Sequence, residues 1–324
     1  MDPAAAAPPT ALVSREDLDA ARRRIAGHVH RTPMCSAPAL GEMAGVRLSF
    51  KAELFQKTGS FKVRGVFNKL LGLTAAERGR GFVSCSAGNH AAALAYAARA
   101  VGARATIVMP ASAVAAKVDA TRGYGGEVVQ TEGNLLEVAR DLEQRRGLTF
   151  VHPFDDPAII AGHGSLGLEI VEDVPDLDVL IVPIGGGGLA SGVAAAIKLH
   201  RPRVRVVGVE PVTADVMSQS LAAGRPLHIA YPKTIADGLA APFTGAHTLG
   251  HVRAFVDEVV RVSEDDLARA LRLIIERCKL AAEPSGAAAF AALLVGATVV
   301  PQGARVVCIV SGGNADPAVL KRIL

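Results

Sequence analysis

Short apolar runs without polar alternation constrain the fold of this chain more than any other feature. Such runs are typical of parallel strands, which are buried on both faces because helices cover the sheet on either side. Alanine-rich stretches lie between them, and one of these, Ala91–Val101, is followed by Gly102 as a stop signal. The alternation predicts an α/β fold with parallel sheets. The predicted strands are Gly81–Cys85, Ala105–Met109, Glu127–Gln130, Leu148–Val151, Val179–Pro183, Val204–Glu210 and Arg305–Val310.

A capping pattern predicts where one helix begins. Ser263 is followed three residues later by Asp266, a variant of the capping box in which each side chain bonds the other residue's backbone N–H. Apolar residues then recur at helical spacing from Leu267 to Cys278. We therefore expect a helix that starts at Ser263 and buries one face.

Composition excludes several classes of protein. Half of the residues are hydrophobic and a fifth are charged, as in an ordinary globular chain, and no apolar run reaches membrane-spanning length. The net charge is only +4 and the basic residues are scattered, so no nucleic-acid partner is expected. The four cysteines form no CxxC pair, and the N-terminus lacks a secretory pattern. We expect a soluble, cytoplasmic protein whose residues 1–12 form a disordered tail.

Two segments could supply a nucleophile and an anion site. Lys62 lies among small and apolar neighbours in Thr58–Gly65, where loss of hydration would lower its pKa and make the amine nucleophilic. An exposed lysine at a helix start is the alternative. Ser84–His90 follows a strand and opens a helix, so its backbone N–H groups could bind a carboxylate. An ordinary N-cap turn, with His90 as a first-turn residue of a packed helix, is the alternative there.

Four consecutive glycines, Gly185–Gly188, lie between the strand Val179–Pro183 and a predicted helix. Their backbone can wrap a phosphate with N–H groups, helped by the helix dipole. The same segment fits a dinucleotide fingerprint ending at Ala190, with Glu210 about 20 residues on as a ribose-binding acid. NAD binding is thus an alternative, but it leaves the other motifs without a role.

In their order along the chain, these segments resemble the fold type II pyridoxal-phosphate (PLP) enzymes, specifically the serine/threonine dehydratase (threonine ammonia-lyase) and serine racemase family. The shared motifs cover nearly the whole chain and read SFKVRG, SAGNH, HPFDDP, GGGG, TIADG, EPSG and SGGN. The resemblance implies two open, twisted parallel-sheet domains, like those of tryptophan synthase β, with the cofactor between them. Residues 1–76 and 157–324 would form the large domain, and residues 77–156 a small domain that closes over the substrate. It also implies a homodimer.

The resemblance implies a role for each matching residue. Lys62 would hold PLP as a Schiff base and act as the catalytic base. The substrate carboxylate would be bound by Ser86, Ala87, Gly88, Asn89 and His90. The remaining contacts to the cofactor would be Phe61 beside the ring, Asn89 at the ring hydroxyl, Gly185, Gly186, Gly187 and Gly188 at the phosphate, Ser311 at the ring nitrogen, and Glu283 as a group that tunes the cofactor.

The implied reaction is the dehydration and deamination of L-threonine or L-serine to a 2-oxo acid and ammonia. A serine cannot fully charge the ring nitrogen, which favours prompt loss of a β-hydroxyl group. Racemases carry serine where this chain has Ala87, which also points to elimination. Racemisation, β-replacement and dehydration of another 3-hydroxy amino acid are the alternatives on the same scaffold.

Divalent metal binding is the feature in which this chain departs from part of the family. In metal-binding members, the cation is held by the residues that match Glu210, the carbonyl of Ala214 and an acid two residues further on. Val216 stands at that last position, although Asp215 is its neighbour. Hard cations need several oxygen ligands, so we expect activity to need no divalent metal, or only weakly, with Glu210 and Ala214 as weak candidate ligands.

Overall fold

The computed structural model describes residues 11–324 and contains two sheets, each flanked by helices. The sequence-predicted tail lies outside the described residues except for Ala11 and Leu12. The strands are β1 (Met34–Ser36), β2 (Arg47–Ala52), β3 (Phe82–Cys85), β4 (Ala105–Pro110), β5 (Glu127–Thr131), β6 (Thr149–Phe150), β7 (Val179–Pro183), β8 (Arg205–Pro211), β9 (Glu258–Val262) and β10 (Arg305–Val310).

The helices fill the connections between strands. A π-helical turn, Ile274–Cys278, extends the twelfth of them. The helices are α1 (Arg15–Ile25), α2 (Pro38–Ala44), α3 (Lys62–Gly72), α4 (Ala75–Arg80), α5 (Asn89–Ala100), α6 (Ala115–Gly123), α7 (Leu135–Arg146), α8 (Pro157–Asp173), α9 (Gly188–His200), α10 (Val216–Ala223), α11 (Ala246–Phe255), α12 (Glu264–Leu273), α13 (Pro284–Leu294) and α14 (Pro317–Ile323). Among the residues that the structure describes, no helix is both long and apolar enough to cross a membrane.

The order of the strands decides which loops meet. The larger sheet runs β1-β2-β10-β7-β8-β9 and the smaller one β5-β4-β3-β6. All neighbouring strands are parallel except β1 and β2. The carboxyl ends of β2, β10 and β7 therefore lie side by side, which is where open α/β sheets bind ligands. The loops that leave these ends carry Lys62, Ser311 and Gly185–Gly188.

The predicted α/β class with parallel sheets is confirmed, and so is each of the seven predicted strands, with ends displaced by no more than one residue. The strands that sequence reasoning missed are β1, β2 and β9. Two of them are edge strands of the larger sheet, and both are only partly buried. The third, β2, is interior but carries Lys51, which is fully buried. None of the three shows the continuous apolar run on which the prediction relied.

Candidate active site

Lys62 opens α3 directly after the loop that leaves β2. Its Nζ donates a hydrogen bond to the carbonyl of Pro153, 2.9 Å away, and lies 5.2 Å from the centroid of the Phe61 ring. The N–H of Phe61 in turn donates to the carbonyl of Ser311 over 3.1 Å. Lys62 as a whole is part-buried, and loss of water around its amino group lowers its pKa to about 8. About a tenth of this amine is therefore neutral and nucleophilic at pH 7, far more than for an ordinary lysine.

A network of buried charges holds the other face of this helix start. Arg64 is fully buried and donates to both oxygens of Glu53, at 2.8 and 2.9 Å, and to both oxygens of Glu169, at 2.7 and 3.0 Å. The Nζ of Lys51 lies 2.7 Å from Glu169. Breaking such a buried pair is costly because the remaining charge loses its partner. The sequence motif SFKVRG contains Arg64 but suggested no role for it, and the network fixes it two residues from Lys62.

An amide–carboxyl chain joins three of the sequence motifs. The Nδ2 of Asn89 donates to Glu283 over 2.8 Å, and Asn314 Nδ2 donates both to Asn89 Oδ1, at 2.8 Å, and to the carbonyl of Thr58, at 2.7 Å. Burial, with a further contribution from Asp237, raises the pKa of Glu283 to about 7. The bridging role of Asn314 was not foreseen, although the motif SGGN contains it.

The glycine loop has the shape of an anion cradle. The N–H groups of its first three residues, which precede α9, meet no acceptor within residues 11–324. Gly187 has φ +93°, and a Cβ placed there would lie 2.7 Å from the Cε of Met217 and 2.9 Å from Thr248. A Cβ at Gly186 would collide with the ring of Phe154. Side chains are therefore excluded and free donors remain, which fits a bound phosphate.

The turn between β3 and α5 is part-buried at Ser86, Ala87, Gly88 and Asn89, and buried at His90. The Oγ of Ser86 accepts a hydrogen bond from the N–H of Gly88 at 3.2 Å. The first N–H groups of α5 have no intrahelical acceptor. This turn can therefore present a hydroxyl group and helix N–H groups to a carboxylate.

Two buried histidines lie close to Lys62. The Nε2 of His90 is 3.0 Å from Ser84 Oγ, which itself donates to the carbonyl of Val151, so Nε2 carries the hydrogen. The ring of His163 packs edge-on against Phe61 at 4.8 Å, and neither of its nitrogens has a partner in the described part of the chain. Burial holds the pKa of both imidazoles well below the usual range. The side chain of His90 is thus a buried, neutral group that donates a hydrogen bond to Ser84.

The residues around Glu210 do not fit a divalent cation. Its carboxylate is already engaged by the N–H of Met217, at 2.8 Å, and by the N–H and Oγ of Ser218, at 2.9 and 2.7 Å. Val216 is buried and apolar, and Ala214 can offer only its carbonyl. No cluster of three or more His, Cys, Asp or Glu side chains suited to a metal occurs between residues 11 and 324. The same burial removes Glu210 from any ribose, against the dinucleotide alternative.

Most sequence-predicted site residues meet in one region. Pro153 accepts from Lys62 and the next residue, Phe154, covers the glycine loop. The N–H of Glu283 donates to the carbonyl of Gly312 over 3.1 Å, directly after Ser311. The segment 152–157 was recognised as a motif and as a turn, but its place between lysine and glycine loop follows only from the fold.

Comparison with known proteins gives a consistent set of matches. The family model described as pyridoxal-phosphate dependent enzyme matches residues 25–312. An L-threonine ammonia-lyase of Thermotoga maritima is 43% identical over 97% of this chain and 78% of its own length. Among solved structures, maize serine racemase superimposes with a TM-score of 0.92 at 39% identity, covering 96% of this chain and 97% of its own. The threonine deaminase of T.th. gives a TM-score of 0.86 at 42% identity, covering 94% of this chain and 99% of its own.

Proposed function

This chain belongs to the family of pyridoxal-phosphate-dependent enzymes, and we propose that it converts L-threonine or L-serine to a 2-oxo acid and ammonia. The family resemblance deduced from the motifs is thereby confirmed, as is its cofactor, PLP. The observation that carries the proposal is the amine of Lys62, with a pKa of about 8, held between the ring of Phe61 and the carbonyl of Pro153. Relatives that carry the name threonine ammonia-lyase or threonine deaminase support this choice of reaction.

The residues present fit the cofactor. We propose that Gly185–Gly188 bind its phosphate, that Ser311 meets its ring nitrogen, that Phe61 packs beside the ring, and that Asn89 and Glu283 lie at the ring's polar edge. The free N–H groups and the space that only glycine leaves support the phosphate assignment. When bound, PLP supplies an electron sink that stabilises negative charge at the substrate Cα.

Lys62 has two tasks in this proposal. Its amine would hold the cofactor covalently and, when free, would take the proton from the substrate Cα as a general base. Loss of surrounding water, which lowers its pKa, favours both tasks. The buried ion network around Arg64 keeps the start of α3 in place while the amine moves.

Substrate binding is assigned to the turn before α5. Ser86 Oγ and the N–H groups from Ala87 to His90 would hold the α-carboxylate at the positive end of the helix. We propose that residues 77–156, which contain the whole smaller sheet, close over the substrate and exclude water. The homodimer and the cytoplasmic location expected from the sequence stay predictions.

Two measurements test the function and its central residue. The purified protein should release 2-oxobutanoate from L-threonine or pyruvate from L-serine. Borohydride reduction followed by peptide mapping should place the pyridoxyl mass on Lys62. Lys62→Ala should abolish both the label and the product, whereas Lys69→Ala, which removes an ion pair to Asp156 at 2.6 Å, should keep both. A label on Lys57 or Lys69, or no 2-oxo acid from a panel of hydroxy amino acids, would contradict the proposal.

A further inference from the structure

The carboxylate of Glu210 lies at the carboxyl end of β8 and is completely buried. Its three hydrogen bonds all come from the first turn of α10, two from backbone N–H groups and one from the hydroxyl of Ser218. The first N–H groups of a helix lack intrahelical acceptors, and a carboxylate placed there also meets the positive end of the helix dipole. Glu210 therefore caps α10 from a neighbouring strand, and fixes where this helix begins.

The capped turn supports the glycine loop. Met217, whose N–H donates to Glu210, is fully buried, and its methyl group approaches the loop so closely that a Cβ on Gly187 would lie only 2.7 Å away. Thr248 supports the same glycine from the adjoining helix α11, since the same Cβ would lie 2.9 Å from it. A shift of α10 would therefore move Met217 against or away from the loop.

The neighbouring acid does not take the place of the missing cation ligand. The carboxylate of Asp215 accepts from Gln219 Nε2 at 2.6 Å and pairs with Arg261 at 3.1 Å, so it already has two protein partners. Val216, between Asp215 and Met217, is fully buried and offers no oxygen from its side chain. Both carboxylates near this loop are thus used by protein donors.

We propose that Glu210 is a positioning residue which, by capping α10, sets Met217 beneath Gly187 and holds the phosphate loop in its binding form without a cation. The proposal rests on the proposed function, because it takes Gly185–Gly188 as the phosphate site. It reverses the role that metal-binding members of the family give to this carboxylate. The N–H and hydroxyl donors of α10 take the place of a cation as the partners of this carboxylate.

The test measures how the apoprotein binds PLP and pyridoxal, which lacks the phosphate. Ser218→Ala removes one donor to Glu210, and Glu210→Gln places an NH2 group against the N–H of Ser218. Each should weaken PLP binding about tenfold, the size of one lost buried hydrogen bond, and change pyridoxal binding much less. Ser218→Thr keeps the hydroxyl group and should restore parental PLP affinity. Ala222→Ser, an exposed change on the same helix that leaves the partners of Glu210 and Asp215 in place, is the matched control.

A metal arm completes the experiment. EDTA or added magnesium should change the PLP affinity of the parent by less than about twofold, since no cation takes part. Equal loss of PLP and pyridoxal affinity in Ser218→Ala, unchanged PLP affinity in both variants, or a parent that binds PLP severalfold tighter with magnesium would overturn the inference. A parent that binds no PLP and makes no 2-oxo acid would overturn the proposed function instead, so the two failures are distinguishable.

Discussion

At the scale of single residues, surroundings decide what a common side chain can do. Lys62 and Lys69 lie on one helix, yet burial lowers the pKa of Lys62 to about 8, whereas Lys69 pairs with Asp156. Arg64, two residues from Lys62, stays charged because two carboxylates enclose it. In the proposed substrate site, Ala87 carries a methyl group, which cannot donate a proton to the substrate.

We predict that Ala87→Ser raises racemisation relative to elimination. Inverting Cα requires an acid on the side of the substrate opposite Lys62, and a hydroxyl at position 87 could supply it. The parent should convert L-serine to pyruvate with very little D-serine, and the variant should form severalfold more D-serine per pyruvate, as measured by chiral chromatography. Ala92→Ser, in the first turn of α5, is the control. A parent that makes D-serine as fast as pyruvate would favour the racemase alternative, which the likeness to maize serine racemase keeps open.

At the scale of elements, the glycine loop and the helix that follows it together form the proposed phosphate site. The positive end of the dipole of α9 faces the loop. Met217 of α10 and Thr248 of α11 pack against Gly187 of the same loop. Phe154 covers the front of the loop, since a Cβ on Gly188 would lie 3.0 Å from it. The loop is thus held by three helices and an aromatic ring, and Met217, Thr248 and Phe154 all lie far from it in sequence.

Gly187→Asp should weaken PLP binding by well over tenfold, about 1.4 kcal/mol for each factor of ten. The new side chain would bring negative charge toward the phosphate, collide with Met217 and strain a backbone at φ +93°. Gly27→Asp is the control, because Gly27 also has positive φ, +78°, but no atom within 4 Å of its Cβ position. Fluorescence titration of the apoproteins with PLP measures both. Equal effects of the two substitutions would show that backbone strain alone acts, and unchanged affinity would remove the phosphate assignment.

At the scale of the whole molecule, polar contacts join the smaller sheet's helices to the larger sheet. Asn89 at the start of α5 bonds Glu283 before α13, and Lys117 of α6 forms an ion pair with Asp237. Burial is the largest cause of the raised pKa of Glu283, and the nearby charge of Asp237 is the second. The two contacts therefore lie close together on one side of the proposed cleft, and their combined charge depends on pH.

Glu283 should make the folded protein less stable as pH rises. Its folded pKa of about 7 lies above the ordinary value of 4.5, so the folded state binds more protons in that window. The free energy of unfolding should fall as pH rises through it, by on the order of 2 kcal/mol from this residue. Glu283→Gln should remove that part of the pH dependence in urea titrations between about pH 5 and about pH 8. The exposed Glu42→Gln should keep the parental slope, and a Glu283→Gln slope equal to the parent's would refute the assignment.

The sequence by itself determined the features that depend on near neighbours along the chain. Continuous apolar runs predicted seven strands to within one residue, and Ser263 with Asp266 forms the expected capping box. The motifs, read in order, identified the family and its cofactor. Each of these signals is local, because a strand's burial or a helix cap depends on a handful of consecutive residues.

Only the tertiary structure decided which distant groups meet. The insertion of β10 between β2 and β7 brings Ser311 beside the lysine helix, and no local pattern predicts that strand order. Lys51 interrupts the apolar pattern of β2. A buried lysine is tolerated there because Glu169, more than a hundred residues away in sequence, neutralises its charge. The cap of Glu210 on α10 depends likewise on how the chain turns after β8. Such contacts arise from packing and charge compensation across the fold, which sequence spacing alone does not encode.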